Sequence, residues 1–465
     1  MGLGAVGNWG AFKATPIMRF RTQRDSSVAD TPIHSSGVVT HIRRRGFGLP
    51  PKERPRAVLL QGPVGPFFRK LRKALDASGY DAWQVSLNAG DTLFAGRGRK
   101  CIPYRDGDRS WESWFRDLLI EGGFEHVILF GSERPAHSTA RRVASSLGVN
   151  VVSLEEGYIR PGAITVEEGG NNRLSPISGR LPPPDFRPTA TEATPEIRGS
   201  FLSMCMYGAA YYTAAVVFST SNQAGMLHRP VWLHEEAVGW IRNLYRRVAK
   251  QSENVAIIER LLEHHVGQYF IVPLQVSEDT QLKAAARGWN NGRLIREALR
   301  SFAATAPSHT RLVFKIHPLE RGHDRDRLLI RKLAQELGVS SRVDLIDVGS
   351  IGHLTRHSAG MITINSTSGL SAIFHGVPLL VIGDALYANP ELATCARGLP
   401  DFEAFWKGGH VADAGLRHRY IAWVREMCLR PGDFYTREGM EAACNAVLEA
   451  MNSRLVLSQG SPKAA

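Results

Sequence analysis

Twice along this chain, short apolar runs suited to buried strands alternate with amphipathic stretches, and a long segment without that alternation separates the two series. The first series runs through residues 57–60, 83–87, 126–130 and 149–154, the second through 269–274, 311–316, 343–346, 360–364 and 377–382. Runs this short and this continuously apolar suit strands covered on both faces. Between them, Phe67, Phe68, Leu71 and Leu75, and then Trp111, Trp114, Phe115 and Leu118, recur at helical spacing. Strand, helix, strand in this rhythm builds a parallel sheet with helices on its faces. A chain of 465 residues exceeds one core. The prediction is therefore an α/β protein with two Rossmann-like parallel-sheet domains, at 55–200 and 267–400. A helical segment at 201–266 separates them, and C-terminal helices occupy 401–465.

Charge and cysteine usage narrow the function. The formal net charge is +13, and Arg43, Arg44, Arg45, Lys52, Arg54 and Arg56 crowd a stretch in which Glu53 is the only acid. Residues 1–54 read as a basic, disordered leader, suited to a solvated arm or to anionic headgroups. Basic residues here do not interleave with aromatics as single-strand binders require, so nucleic acid is not an expected partner. Five cysteines with no CxxC spacing exclude a disulfide framework and a zinc site, and point to a reducing compartment. Asp324 and Asp326, near His323, decorate a solvated helix, and no metal is expected. The N-terminal residues lack the apolar core of a secretory signal. Residues 201–226 carry no charge. Small and polar residues dilute this stretch below the roughly 20 apolar residues of a spanning helix, so a buried or interfacial helix is expected.

Open α/β sheets bind ligands at the carboxyl ends of their strands. Four such ends carry chemistry. Glu155 and Glu156, followed by Arg160, offer a general acid or base and a bidentate anion holder; a turn with a surface ion pair would use the same residues. Gln275 and Asp279 follow another strand, where a carboxylate can act as nucleophile or merely as an N-cap. Lys315 and His317 close a third strand. The run Asn365, Ser366, Thr367, Ser368 and Gly369 closes a fourth, offering hydroxyls and backbone N–H groups for an anion or for simple capping. Gln61, Gly62 and Pro63 form a rigid turn after the first strand that matches no phosphate-loop or dinucleotide fingerprint.

These pieces resemble the capsule polysaccharide biosynthesis and export proteins of the KpsS type, a family related to retaining β-Kdo glycosyltransferases. The resemblance lies in Leu59 to Phe68, Asn88 to Asp91, Glu155 to Pro161, His228 to Pro230, Pro273 to Gln275 with Asp279, Lys315 to Glu320 and Asn365 to Gly369. It implies a GT-B-like fold with an acceptor domain first and a nucleotide-sugar domain second. It further implies transfer of Kdo from CMP-Kdo, with retention, to a phosphatidylglycerol-type lipid or a glycolipid, without a cofactor. Asp279 is then the nucleophile and Glu156, or else Glu155, the acid/base. Gln275, Lys315, His317, Arg160 and residues 365–369 would hold the donor, and Gln61, Gly62 and Pro63 would face the acceptor. The implied setting is cytoplasmic and peripheral, on the anionic inner face of the cytoplasmic membrane, with an inner-membrane capsule assembly and export complex as partner. Two other readings are a non-catalytic export scaffold and a nucleotide-sugar epimerase of similar fold.

Overall fold

A computed structural model describes residues 47–459, apart from 97, 99, 105–109, 190–196, 198, 221–225, 228–232, 277–279, 321 and 323. In the N-terminal half, β1 (Arg56–Leu60), α1 (Phe67–Ala77), β2 (Asp81–Ser86), α2 (Ala89–Ala95), β3 (Cys101–Pro103), α3 (Trp111–Gly122), β4 (His126–Phe130), α4 (Pro135–Ser146) and β5 (Asn150–Glu156) alternate as the apolar runs require. A hairpin then adds β6 (Ala163–Glu168), antiparallel to β5. Among the described residues α5 (Phe201–Phe218), α6 (Leu233–Ala249) and α7 (Gln251–His264) follow.

The second half repeats the plan with β7 (Tyr269–Pro273), α8 (Thr280–Ala285), α9 (Asn291–Thr305), β8 (Arg311–Lys315), α10 (Arg325–Glu336), β9 (Val343–Ile346), α11 (Ile351–Arg356), β10 (Gly360–Thr363), α12 (Gly369–His375), β11 (Leu379–Val381) and β12 (Thr394–Cys395). The chain closes with α13 (Phe402–Lys407), α14 (Ala414–Cys428), β13 (Leu429–Pro431) and α15 (Arg437–Gln459).

Strand order in the first sheet is β13-β6-β5-β4-β1-β2-β3, and in the second β12-β11-β10-β7-β8-β9. Each sheet reverses its winding between its first and fourth strands, β1/β4 in one and β7/β10 in the other, which is the doubly wound Rossmann order. Two such sheets in series make the fold GT-B-like.

The chain end returns to the first sheet. β13 pairs antiparallel with β6, and Phe434, Met440, Val447 and Met451 bury themselves with Phe67, Phe68, Leu71 and Leu75 of α1 in one core. Phe434 packs edge-on to Phe67, with ring centres 4.9 Å apart.

The structure corrects two sequence-based readings and narrows a third. Residues 47–54, assigned to a free leader, are held down. Phe47 sits edge-on to Trp114, Lys52 pairs with Glu125, and Arg56, counted among the arm's charges, is a buried strand residue bonded to Asp81 and the Gly122 carbonyl. Residues 1–46 lie outside the described residues. Second, Glu155 and Glu156 do not follow the strand but end it, opposite Thr165 and Ile164. The hairpin was hidden because β6 is half acidic or polar and its turn runs through Gly162, at φ +83°. Third, of the buried and interfacial alternatives for the uncharged helix α5, burial is excluded, since only 17% of its residues are inside the protein.

Candidate functional site

At the second sheet's switch point the chain leaves β7 and β10 at neighbouring positions, bringing Gln275 against Asn365. Both are buried. The Gln275 amide donates to Asn365 Oδ1 at 2.8 Å, and the Asn365 backbone N–H donates back to Gln275 Oε1 at 3.3 Å. Asn291, at the start of α9, braces the pair by donating to the Gln275 carbonyl at 2.8 Å and to Asp326 at 2.9 Å. Burial raises the Asp326 carboxyl, against the pull of that hydrogen bond. Lys315, at the end of the adjacent β8, is buried, and His317 is half-buried just beyond it.

The Ser/Thr run does not cap its helix. Ser366 Oγ donates to Ser368 Oγ, Ser368 makes no capping bond, and the Ser366 carbonyl accepts from Tyr387. Gly369 is required by packing, because a Cβ there would lie 2.3 Å from the Tyr387 ring. This run is thus rigidly placed, with its first residue already engaged by Gln275.

On the facing half, Arg134 organises the equivalent switch point. It donates to the Gln61 and Gly62 carbonyls at 3.1 and 3.3 Å, and its guanidinium lies 5.1 Å from the Phe130 ring centre. Gln61 adopts φ +28°, and its side-chain oxygen is buried without a hydrogen-bond partner. Strain of this kind in a non-glycine residue persists only where its surroundings fix it. Gly62 is packed against Phe68, and Pro63 follows in the same turn.

Glu155 and Glu156 point to opposite faces of β5, as the strand period dictates. Glu156 shares its face with Leu154 and meets Tyr435, whose hydroxyl donates to it, while Arg160 stands 3.8 Å away. Burial lifts the Glu156 carboxyl, helped by the charge of Asp433 and opposed by Arg160 and Tyr435. Glu155 lies on the other face, where its charge acts on buried Tyr158. Arg160, expected to hold the donor, sits at the end of the N-terminal sheet in an ion pair with Glu156. Asp279, His228, Arg229 and Pro230 lie outside the described residues.

The halves are stitched together by Asn172, held at φ +52°. Its side chain accepts from Leu386 N–H at 2.9 Å and donates to the Asn365 carbonyl at 3.5 Å. One residue from the first half thus touches the centre of the second half's switch point. Sequence reasoning missed Asn172, Arg134 and Tyr435. The first two sit just past strand ends, Asn172 after Gly169 and Gly170 and Arg134 after Gly131, which was their available signal. Tyr435 had none, because it arrives from the far end of the chain.

The profile of the capsule polysaccharide biosynthesis protein family matches residues 125–435. The chain belongs to this family. The match takes in β4 through Tyr435, and so covers both switch-point clusters except Gln61 to Pro63. Among curated relatives, this capsule-synthesis protein is 34% identical over 372 residues to the capsule polysaccharide export protein KpsS of Escherichia coli, covering 79% of this chain and 93% of that one. It is 30% identical over 387 residues to the capsule polysaccharide modification protein LipB of Neisseria meningitidis serogroup B, covering 82% and 91%. Among solved structures, it is similar to Thermosulfurimonas dismutans KpsC, beta Kdo 2,7 transferase, at 14% identity and a TM-score of 0.41, covering 86% of this chain and 100% of that one. A putative UDP-N-acetylglucosamine 2-epimerase from Listeria monocytogenes gives 13% identity and 0.31, covering 87% and 97%. The fold assignment rests on the strand order rather than on these last two. The protein is a capsule polysaccharide biosynthesis protein.

Proposed function

We propose that this protein is a retaining glycosyltransferase that moves Kdo from CMP-Kdo to a phosphatidylglycerol-type lipid acceptor at the cytoplasmic face of the membrane, within the capsule assembly and export machinery. The observation that carries the proposal is the pairing of Gln275 with Asn365 at the second switch point, beside Lys315 and His317. The Arg134 and Glu156 cluster closes the corresponding strand ends of the first half.

A CMP-activated sugar brings a phosphodiester and a carboxylate. Lys315 and His317 supply the cation and the hydrogen-bond donor such anions need. Gln275 and Asn365, locked to each other, give a fixed surface for the nucleotide. In the first step the Asp279 carboxylate forms a bond to the anomeric carbon as the bond to the CMP phosphate oxygen breaks, and CMP leaves with the electron pair. In the second, the acceptor hydroxyl attacks that carbon, the bond to Asp279 breaks, and the hydroxyl proton passes to Glu156. A carboxyl lifted by burial is the stronger base for that proton. Retention follows from the two inversions.

The test is transfer from CMP-Kdo to a short-chain fluorescent phosphatidylglycerol by wild type, Asp279→Ala and His317→Ala. Product from wild type alone is expected. Product formed equally by all three would remove both residues from the mechanism. No product from wild type in the presence of bound CMP-Kdo would refute the acceptor.

A further inference from the structure

Helix α5 inverts the usual pattern of a helix on a soluble protein. Its outward stripe is Leu202, Met206, Ala209, Thr213, Val216 and Val217, at the i, i+4, i+7 spacing normally reserved for a core-facing side. Leu202 is 69% and the terminal Phe218 74% exposed. The inward stripe is narrow and consists of Tyr211, Ala214 and Ala215.

That stripe is pinned. The Tyr211 hydroxyl donates to Asp91 at 2.9 Å and accepts from Asn88 at 2.9 Å and Gln61 at 3.3 Å. Gly90 brings α2 so close that a Cβ would lie 2.7 Å from the Tyr211 carbonyl. A helix fastened this way cannot cross a bilayer, although its 18 residues extend about 27 Å at the helical rise.

The neighbouring helix α6 continues the apolar surface and adds charge. Val238, Tyr245 and Val248 are exposed, and so are Arg242 in its middle and Arg247 and Lys250 at and just beyond its end. Arg247 lies over the ring of Phe201, 5.8 Å from its centre. Residues 238–250 contain no acid, and α5 contains no charge at all. A broad apolar stripe edged by Arg242, Arg247, Lys250 and an exposed tyrosine, with Arg242 and Lys250 also paired to Asp324 and Glu253, is complementary to the boundary between acyl chains and anionic headgroups.

We infer that α5 and the adjoining face of α6 form a monotopic docking surface that lies in the plane of an anionic bilayer, with α5 seated at the acyl boundary and the arginines at the phosphates. The consequence for the site is direct. Gly65 packs under the Tyr207 ring of α5, where a Cβ would lie 2.8 Å away, and Gln61 bonds to Tyr211. Docking therefore places the Gln61 to Pro66 turn directly behind α5, one helix diameter, about 10 Å, from the lipid surface. Only the identity of the acceptor rests on the function proposed above; the docking surface stands on the helix itself.

The experiment is flotation of the full chain with vesicles of phosphatidylcholine alone or with added phosphatidylglycerol. Wild type is compared with Leu202→Ser/Val217→Ser/Phe218→Ser and with Arg242→Gln/Arg247→Gln. Wild type should float with the anionic vesicles. The serine variant should lose at least about tenfold in vesicle affinity, its melting temperature unchanged because these side chains touch water. The glutamine variant should lose the preference for phosphatidylglycerol. Wild type that stays in solution, or a serine variant that floats as well as wild type, overturns the inference, the second outcome leaving the N-terminal basic run as the attachment. A wild-type dimer that the serine changes make monomeric, with no flotation by either, would assign the face to a second copy and overturn it too. Flotation without any Kdo transfer supports the docking surface and counts against the transferase alone.

Discussion

Asp91 is a carboxyl that ought to make this protein less stable as the pH rises toward neutral. It is fully enclosed, and burial raises it from 3.8 to about 6, even though Leu87 N–H, Tyr211 hydroxyl and the field of Arg134 all favour its ionised form. The folded value lies above the unfolded one, so between the two the native state holds a proton that the unfolded chain has released. Asp91 thus contributes stability that is fully present below about 3.8 and lost as the pH rises through about 6. The whole loss is roughly 3 kcal/mol at about 1.36 kcal/mol per unit, and about 1–2 kcal/mol of it falls between pH 5 and 7.5. Asp91→Asn keeps an acceptor for one of the two donors and cannot ionise. Urea unfolding followed by tryptophan fluorescence, at pH 5, 6 and 7.5, gives the stability of each protein. The stability of wild type minus that of the variant should fall by about 1–2 kcal/mol across that range, other titrating groups cancelling in the difference. A difference that stays flat, or rises, would refute the claim that Asp91 is desolvated behind α5.

Three further outcomes follow from the geometry. Glu156→Gln should lower the Kdo transfer rate by about a hundredfold or more while leaving CMP-Kdo affinity unchanged, read by single-turnover kinetics beside equilibrium binding. Gln275→Ala strands the Asn365 amide and should weaken CMP-Kdo binding about tenfold, with a stability cost of roughly 1–3 kcal/mol, measured by calorimetry and denaturant unfolding. Gly369→Ala forces a Cβ into the Tyr387 ring and should destabilise by about 1–3 kcal/mol; an unchanged melting temperature would show that the ring can retreat.

The parallel strands were legible because a strand covered on both faces must be apolar along nearly its whole length, as 127–130 and 379–382 are. The same rule hid β6, whose Glu167 accepts from Asn171 and Ser175 and whose Thr165 hydroxyl donates to the Glu156 carbonyl, rather than entering an oily core. With β6 missed, Glu155 and Glu156 read as a turn, and the opposite facing that separates their environments could not be seen. Gln275, Lys315, His317 and Asn365 were readable from strand ends alone, since switch points gather such ends. Tyr435 and Asn172 depend on contacts with residues hundreds or tens of positions away, and no local pattern encodes those. The composition of 201–226 said that a helix there would be apolar; which side faces water is decided by Tyr211, one residue on the helix and three partners off it.

The return of β13 and α15 to the first sheet has a consequence for biosynthesis. Emerging from the ribosome, residues 56–168 have every strand of their sheet except the last edge, but the oily face of α1 lacks Phe434, Met440, Val447 and Met451. At about 5–20 residues per second, translation from residue 168 to residue 451 occupies roughly 15–60 s. Throughout that interval the nascent first half exposes Phe67, Phe68 and Leu71 to whatever is nearby. It is a client for chaperones by construction, and a stop codon anywhere before α15 would leave it so permanently.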